Sequence, residues 1–85
     1  MQPVTIYTTM FCPYCHMAKR LLTKKGATFT EIDVTMKPAA REEMTRLAGG
    51  RRTVPQIFIG THHVGGSDDL HALDAKGELD ALLAG

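Results

Sequence analysis

Residues 4–15, VTIYTTMFCPYC, set the architecture of this chain, and the other predicted elements extend outward from them. Residues 4–8 alternate β-branched and aromatic side chains, which predicts a β-strand. Helical spacing follows the two cysteines, since Met17 and Leu21 fall on one face and Gly26 occupies the expected C-cap. The cysteines are therefore predicted to lie where a strand ends and a helix begins.

The remaining segments continue the alternation of strands and helices. Further strands are predicted at residues 28–34, 56–59 and 62–64, with a second helix over about residues 38–48. Gly60-Thr61 suits a type II′ hairpin, and Ser67 is the predicted N-cap of a final helix that Gly77 can interrupt. The order β-α-β-α-β-β-α predicts an α/β fold: a four-stranded mixed sheet with helices on both faces, beginning with a right-handed parallel crossover.

Composition excludes several classes of protein. A hydrophobic fraction of 44% with 22% charged residues is typical of a globular chain, and 85 residues suit a single domain spanning 1–85. The net charge is +1 and basic residues occur in runs no longer than pairs, so we expect neither a nucleic acid nor a membrane as partner. The N-terminus lacks the pattern of a secretion signal, which predicts a cytoplasmic location.

The two cysteines of the chain are separated by two residues. Closing so short a loop stabilises a fold very little, so in a reducing compartment such a pair is more often catalytic or metal-binding. A helix N-terminus favours a negatively charged sulfur, and Pro13 suits the first helical position. We therefore predict that Cys12 is the exposed nucleophile and that Cys15, one turn further along, is the more buried resolving thiol.

Two other interpretations use the same residues. The run from Cys12 to His16 fits the C-x-x-C-H pattern of covalent haem attachment, but that attachment implies export, and no export signal is visible. A zinc site would need both cysteines and two of the four histidines, which follow no standard spacing. His62 and His63 would point to opposite faces of a strand. We expect no metal site and place all four histidines on the surface.

Three motifs, in order and at compatible spacing, resemble the glutaredoxin family within the thioredoxin-like fold. Residues 12–15, CPYC, resemble its dithiol active site. Residues 53–55, TVP, resemble its loop with a cis-proline facing the cysteines, and residues 65–69, GGSDD, resemble its glutathione-binding turn and helix start. The resemblance covers essentially the whole chain and is strongest to short bacterial dithiol glutaredoxins of the glutaredoxin 3 kind.

The resemblance implies that the protein reduces glutathione mixed disulfides and protein disulfides with electrons from glutathione. It further implies a monomer without a permanently bound cofactor, and it suggests ribonucleotide reductase among the protein substrates. The implied glutathione contacts are Tyr14, Arg51, Thr53, Val54, Pro55, Gly66, Ser67 and Asp68.

Each implied contact has a physical rationale. The Val54 backbone would pair with an extended substrate. Ser67 and Asp68, at a helix N-terminus, would hold the two charged ends of the γ-glutamyl group. Tyr14 would pack on the glutathione backbone, and Arg51, with the neighbouring arginine as an alternative, would meet the glycine carboxylate.

One position departs from the family pattern. Glutaredoxins commonly carry a lysine three residues before the first cysteine, where this chain has Thr9, so we expect the helix dipole and Arg51 to supply positive charge. Two alternative functions are a donor re-reduced by a thioredoxin reductase and an iron–sulfur carrier whose cluster is shared by two chains. The turn at residues 65–69 disfavours the first alternative, and the second cysteine disfavours the second.

Overall fold

Four strands and four helices follow one another along the chain. The computed structural model describes all residues, 1–85. The elements are β1 (Val4–Thr8), α1 (Pro13–Lys24), β2 (Phe29–Asp33), α2 (Pro38–Leu47), β3 (Gln56–Ile59), β4 (His62–Gly65), α3 (Ser67–Ala75) and α4 (Leu79–Ala84). The predicted order is confirmed, and the interruption that the sequence allowed at Gly77 divides the final helix into α3 and α4. Gly77 has a φ of 73°, and this left-handed residue lies between α3 and α4.

The strands form one mixed sheet in the order β2-β1-β3-β4. β1 pairs in parallel with β2, whereas the β1–β3 and β3–β4 pairs are antiparallel. Between β3 and β4, Gly60 has a φ of 59° and Thr61 is not among the residues with positive φ, which matches the predicted type II′ turn. The sheet therefore has the predicted mixed topology.

Helices cover both faces of this sheet, as predicted. On one face, α1, α3 and α4 enclose the larger core, in which Ile6 and Ile57 of the sheet meet Leu22 and Leu70 of the helices. On the other face, α2 packs alone and buries Met44 in a smaller cluster. None of the helices has the length and hydrophobicity that spanning a membrane requires.

The strand directions bring three distant segments to one edge of the sheet. β1 and β4 run the same way, because each is antiparallel to β3. The helices that follow them, α1 and α3, therefore begin at the same edge, and β3 starts there as well. Residues 12–15, 53–55 and 65–69 consequently share this edge although more than half the chain separates the first segment from the last.

The start of α3 differs from the prediction at one residue. Gly66 is the N-cap, with an extended backbone, and Ser67 is the first helical residue. The reason is that the Asp69 carboxylate accepts the Gly66 N–H at 2.8 Å, so the cap contact comes from inside the helix. Ser67 Oγ lies 3.4 Å from His71 Nδ1 instead.

Candidate active site

The first cysteine caps α1. Cys12 has an extended backbone at the N-cap, and Pro13 occupies the first turn without loss of a hydrogen bond. The backbone N–H of Cys15 donates to Cys12 Sγ at 3.3 Å. The nucleophile predicted from the sequence therefore receives an N–H that the helix itself leaves unpaired, which favours negative charge on the sulfur.

The two thiols differ in burial. Both cysteines are free; Cys12 is 8% exposed and Cys15 is 1% exposed. The expectation of an openly exposed Cys12 was wrong, because the loop before β3 packs against the thiol, while the predicted ranking of the two is confirmed. Burial, reinforced by the hydrogen bond with Cys12, raises the pKa of Cys15 to about 12. Cys15 therefore keeps its proton at neutral pH.

The loop that covers Cys12 contains the cis-proline expected from the resemblance. The Val54–Pro55 peptide bond is cis. The Cys12 thiol donates to Val54 O, with 3.7 Å between sulfur and oxygen. The predicted loop thus faces the cysteine pair, and its backbone lies within reach of whatever is bonded to Cys12.

A single cleft beside this loop gathers all the residues that the resemblance implies for glutathione. It has a volume of ≈ 400 Å³. Its lining consists of Tyr14, Arg51, Thr53, Val54, Pro55, Gly66, Ser67 and Asp68. Arg52, the alternative to Arg51, lines a different hollow beside α2. Of the two neighbouring arginines, Arg51 therefore lines the cleft and Arg52 does not.

Asp69 connects two walls of the cleft, and the sequence analysis gave it no role there. Its carboxylate accepts the Gly66 N–H and pairs with Arg51 at 3.1 Å, and these contacts lower the pKa of Asp69, the backbone N–H most. Gly65 has a φ of 116°, and a Cβ there would collide with the Asp69 carboxylate and come within 2.8 Å of the Arg51 guanidinium. The positive φ is what requires glycine, because L side chains rarely adopt it, and a Cβ would in addition displace the flexible ends of the two side chains. An acidic residue three positions after a helix N-cap is the sequence pattern that could have predicted the contact of Asp69 with Gly66.

Gln56 also supports the wall of the cleft, and this role was missed because nothing in the neighbouring sequence indicates it. Gln56 has no exposed surface, and its Nε2 donates to Thr53 O at 3.0 Å and lies 3.1 Å from Thr53 Oγ1. His63 Nε2 lies 2.7 Å from Gln56 Oε1, while the imidazole stacks on Phe58 with ring centroids 4.9 Å apart. Burial lowers the pKa of His63. The surface position expected for this histidine was therefore wrong.

The other histidines stay apart from the cysteines. His16 and His62 are exposed, whereas His71 is half-buried against the first turn of α3, so the surface position expected for His71 was wrong as well. No three histidine, cysteine, aspartate or glutamate side chains converge in an arrangement able to hold a metal ion.

Comparisons with known proteins identify relatives of this chain. A family model described as glutaredoxin matches residues 4–64. A glutaredoxin of Pseudomonas aeruginosa is 60% identical over 84 residues, covering 99% of each chain. Glutaredoxin 3 of Escherichia coli is 57% identical over 83 residues, covering 98% of this chain and 99% of the relative. The crystal structure of a buckwheat glutaredoxin–glutathione complex has a TM-score of 0.89 at 29% identity, covering 98% of this chain and 77% of that chain.

Exchange of thiols for disulfides is the chemistry that this arrangement permits. One thiol starts a helix, its partner lies one turn deeper, and a backbone loop contacts the first thiol. The fold and the site together define a thiol–disulfide oxidoreductase of the thioredoxin-like class. The family model matches most of the chain and two glutaredoxins align nearly end to end, so the chain belongs to the glutaredoxin family. The resemblance seen in the sequence, including that to glutaredoxin 3, is confirmed.

Proposed function

We propose that the protein is a glutathione-dependent oxidoreductase that reduces glutathione mixed disulfides and protein disulfides through Cys12 and Cys15. The observation that carries this proposal is the cleft, whose wall at Val54 is also the contact of the Cys12 thiol. A molecule bonded to Cys12 through sulfur would extend directly along that wall. The structural relative described as a glutaredoxin–glutathione complex supports the same ligand.

The cleft offers complementary groups for a small, charged tripeptide. Its volume of ≈ 400 Å³ falls within the range of about 300–1,000 Å³ typical of small-molecule sites. Arg51 supplies a cation for the glycine carboxylate. The N-terminus of α3, at Ser67 and Asp68, supplies N–H groups for the α-carboxylate and an acid for the α-amino group. Tyr14 is exposed and free to pack along the peptide between these ends.

The reaction begins when the Cys12 thiolate attacks the glutathione sulfur of a glutathionylated protein. The protein thiolate leaves and takes up a proton, and glutathione remains disulfide-bonded to Cys12. A second glutathione thiolate then attacks the bound glutathione sulfur, which yields glutathione disulfide and restores Cys12. Alternatively, Cys15 loses its proton and attacks the Cys12 sulfur, which releases glutathione and forms the Cys12–Cys15 disulfide. Two further glutathione molecules reduce that disulfide.

The decisive experiment measures reduction of a glutathionylated peptide by the purified protein, coupled to glutathione reductase. Cys12→Ser should abolish turnover, because both routes start at that sulfur. The matched variant Cys15→Ser should retain it, because the monothiol route needs one cysteine. Turnover by Cys12→Ser would contradict the mechanism. Activity with a thioredoxin reductase as electron source, and none with glutathione, would contradict the glutathione dependence.

The proposal also covers setting and partners. We place the reaction in the cytoplasm, where glutathione keeps thiols reduced, and we propose that the protein works as a monomer on glutathionylated or disulfide-bonded proteins. Ribonucleotide reductase is one such substrate to test. Full-length similarity to a bacterial glutaredoxin 3 supports this setting.

A further inference from the structure

We propose that Gln56 is a positioning residue for substrate binding: bridged to His63, its amide aims the Val54 N–H into the cleft. The inference rests on the proposed function, since it assigns a role in holding the glutathione moiety. It concerns two residues outside the cleft lining, one fully buried and one half-buried.

The first step is the orientation of the amide. Thr53 O is a carbonyl and only accepts, so the Gln56 atom 3.0 Å from it must be the nitrogen. Gln56 Oε1 then faces His63 Nε2 at 2.7 Å as an acceptor. The imidazole Nε2 must therefore carry the hydrogen. All polar groups of the buried amide are used, and no buried side-chain polar atom in the chain lacks a partner.

The second step follows from peptide geometry. The Thr53–Val54 peptide bond is trans, since the one cis bond is Val54–Pro55. In a trans peptide the C=O and the next N–H point in opposite directions. By holding Thr53 O toward the interior, Gln56 directs the Val54 N–H away from it. That N–H donates to no group of the protein, and Val54 lines the cleft.

Gln56 is a polar side chain with no exposed surface, and its burial needs a physical reason. A buried amide costs free energy unless its hydrogen bonds are made, and an apolar residue of the same size would fill the site without that cost. Thr53 belongs to no helix or strand, so no ladder of backbone hydrogen bonds fixes its carbonyl. Gln56 lies at the start of β3, where its backbone is fixed by pairing with Tyr7. It therefore transfers the rigidity of the sheet to the loop.

The test compares variants in the glutathionylated-peptide assay. Gln56→Leu removes the bridge at similar volume, and we expect KM for the peptide to rise about tenfold with kcat nearly unchanged, the size expected when hydrogen bonds stop orienting a binding group. His63→Phe keeps the stack on Phe58 but removes the N–H, so KM should rise about threefold. His63→Gln places a donor at the same reach and should keep the wild-type KM. His62→Phe, on the exposed neighbour, is the matched control.

Each result decides the proposal. The pattern above, together with an unchanged rate of Cys12 alkylation, supports it. A wild-type KM in Gln56→Leu would overturn it, as would equal effects of His63→Phe and His63→Gln. If Gln56→Leu does not fold, the His63 pair alone decides. Absence of glutathione-dependent turnover in the wild-type protein would instead refute the proposed function, which keeps the two failures distinct.

Discussion

Replacing Cys12 with serine leaves Cys15 as the one thiol of the chain and exposes its reactivity to measurement. In the native fold, burial above all, and then the hydrogen bond with Cys12, raises the pKa of Cys15 from 9.0 to about 12. Serine at position 12 keeps a hydroxyl at the helix start and leaves the burial intact. The raised pKa should therefore persist in Cys12→Ser.

The size of the effect follows from that change in pKa. A rise from 9.0 to about 12 lowers the thiolate fraction at pH 7 about a thousandfold. A more basic thiolate is also more nucleophilic, and a Brønsted coefficient of about 0.4–0.5 returns about 15- to 30-fold of that loss. We therefore expect Cys15 to react up to about 30- to 60-fold more slowly than an ordinary cysteine; the full factor is the limit because serine at position 12 removes the charge of Cys12 that contributes to the raised pKa. Its 1% exposure slows attack on a bulky reagent further.

The assay is alkylation by iodoacetamide at pH 7, followed by mass spectrometry. The reference is an unstructured peptide with the sequence that flanks Cys15, and Cys12→Ser unfolded in urea should react at the peptide's rate. Cys15→Ser reports the other thiol under the same conditions. Alkylation of folded Cys12→Ser as fast as the peptide would refute the reasoning. The expected slow rate would mean that Cys15, while it stays buried, is a weak nucleophile toward external reagents at neutral pH.

Two further predictions concern stability. Met44→Ala should lower the free energy of unfolding by about 2–5 kcal/mol because Met44 is fully buried, whereas Leu47→Ala on the same helix, at an exposed position, should stay within about 0.5 kcal/mol. Urea unfolding measures both, and equal losses would contradict the packing of α2. Contacts with Gly66 and Arg51 hold the pKa of Asp69 below 3.8, so its contribution is present above that pH and disappears as pH falls through the lowered pKa. In Asp69→Asn the free energy of unfolding, measured by urea titration, should therefore fall less steeply below about pH 4 than in the wild-type protein. The same pH dependence in both proteins would contradict these contacts.

The fold was largely predictable because its signals are local. Alternation in residues 4–8, the proline and glycine at the two ends of α2, and the glycine of the β3–β4 turn each act within a few residues. Whether the final helix is interrupted at Gly77 stayed open for the opposite reason. A glycine inside an apolar periodicity either continues or ends a helix, and the packing of Leu79 and Leu83 into the core decided for a break.

The candidate site was likewise predictable in part. The eight residues that line the cleft were expected from the resemblance, seven of them within its three motifs, and one edge of the sheet brings them together. The hydroxyl cap at Ser67 was wrong because the Asp69 carboxylate, two residues further along the same helix, takes the cap contact. The exposed Cys12 and the surface position of His63 were wrong because each depends on a contact with another element. Gln56 was invisible for the same reason. Residues that touch a ligand leave patterns in sequence, whereas residues that orient them are recognisable only from three-dimensional contacts.

Two helix N-termini and Arg51 supply positive charge at the cleft, where the family commonly carries a lysine and this chain has Thr9. Both α1 and α3 begin at the edge that holds the cleft, so two helix N-termini point partial positive charge toward it. Arg51 adds a full charge, and Asp69 fixes the guanidinium in place while neutralising part of it. Backbone N–H groups near the ligand lose less to salt screening than an exposed side-chain cation does. Because Asp68 and Asp69 offset Arg51, the positive charge that remains for an anion comes mainly from the two helix N-termini, and a threonine at position 9 is compatible with anion binding there.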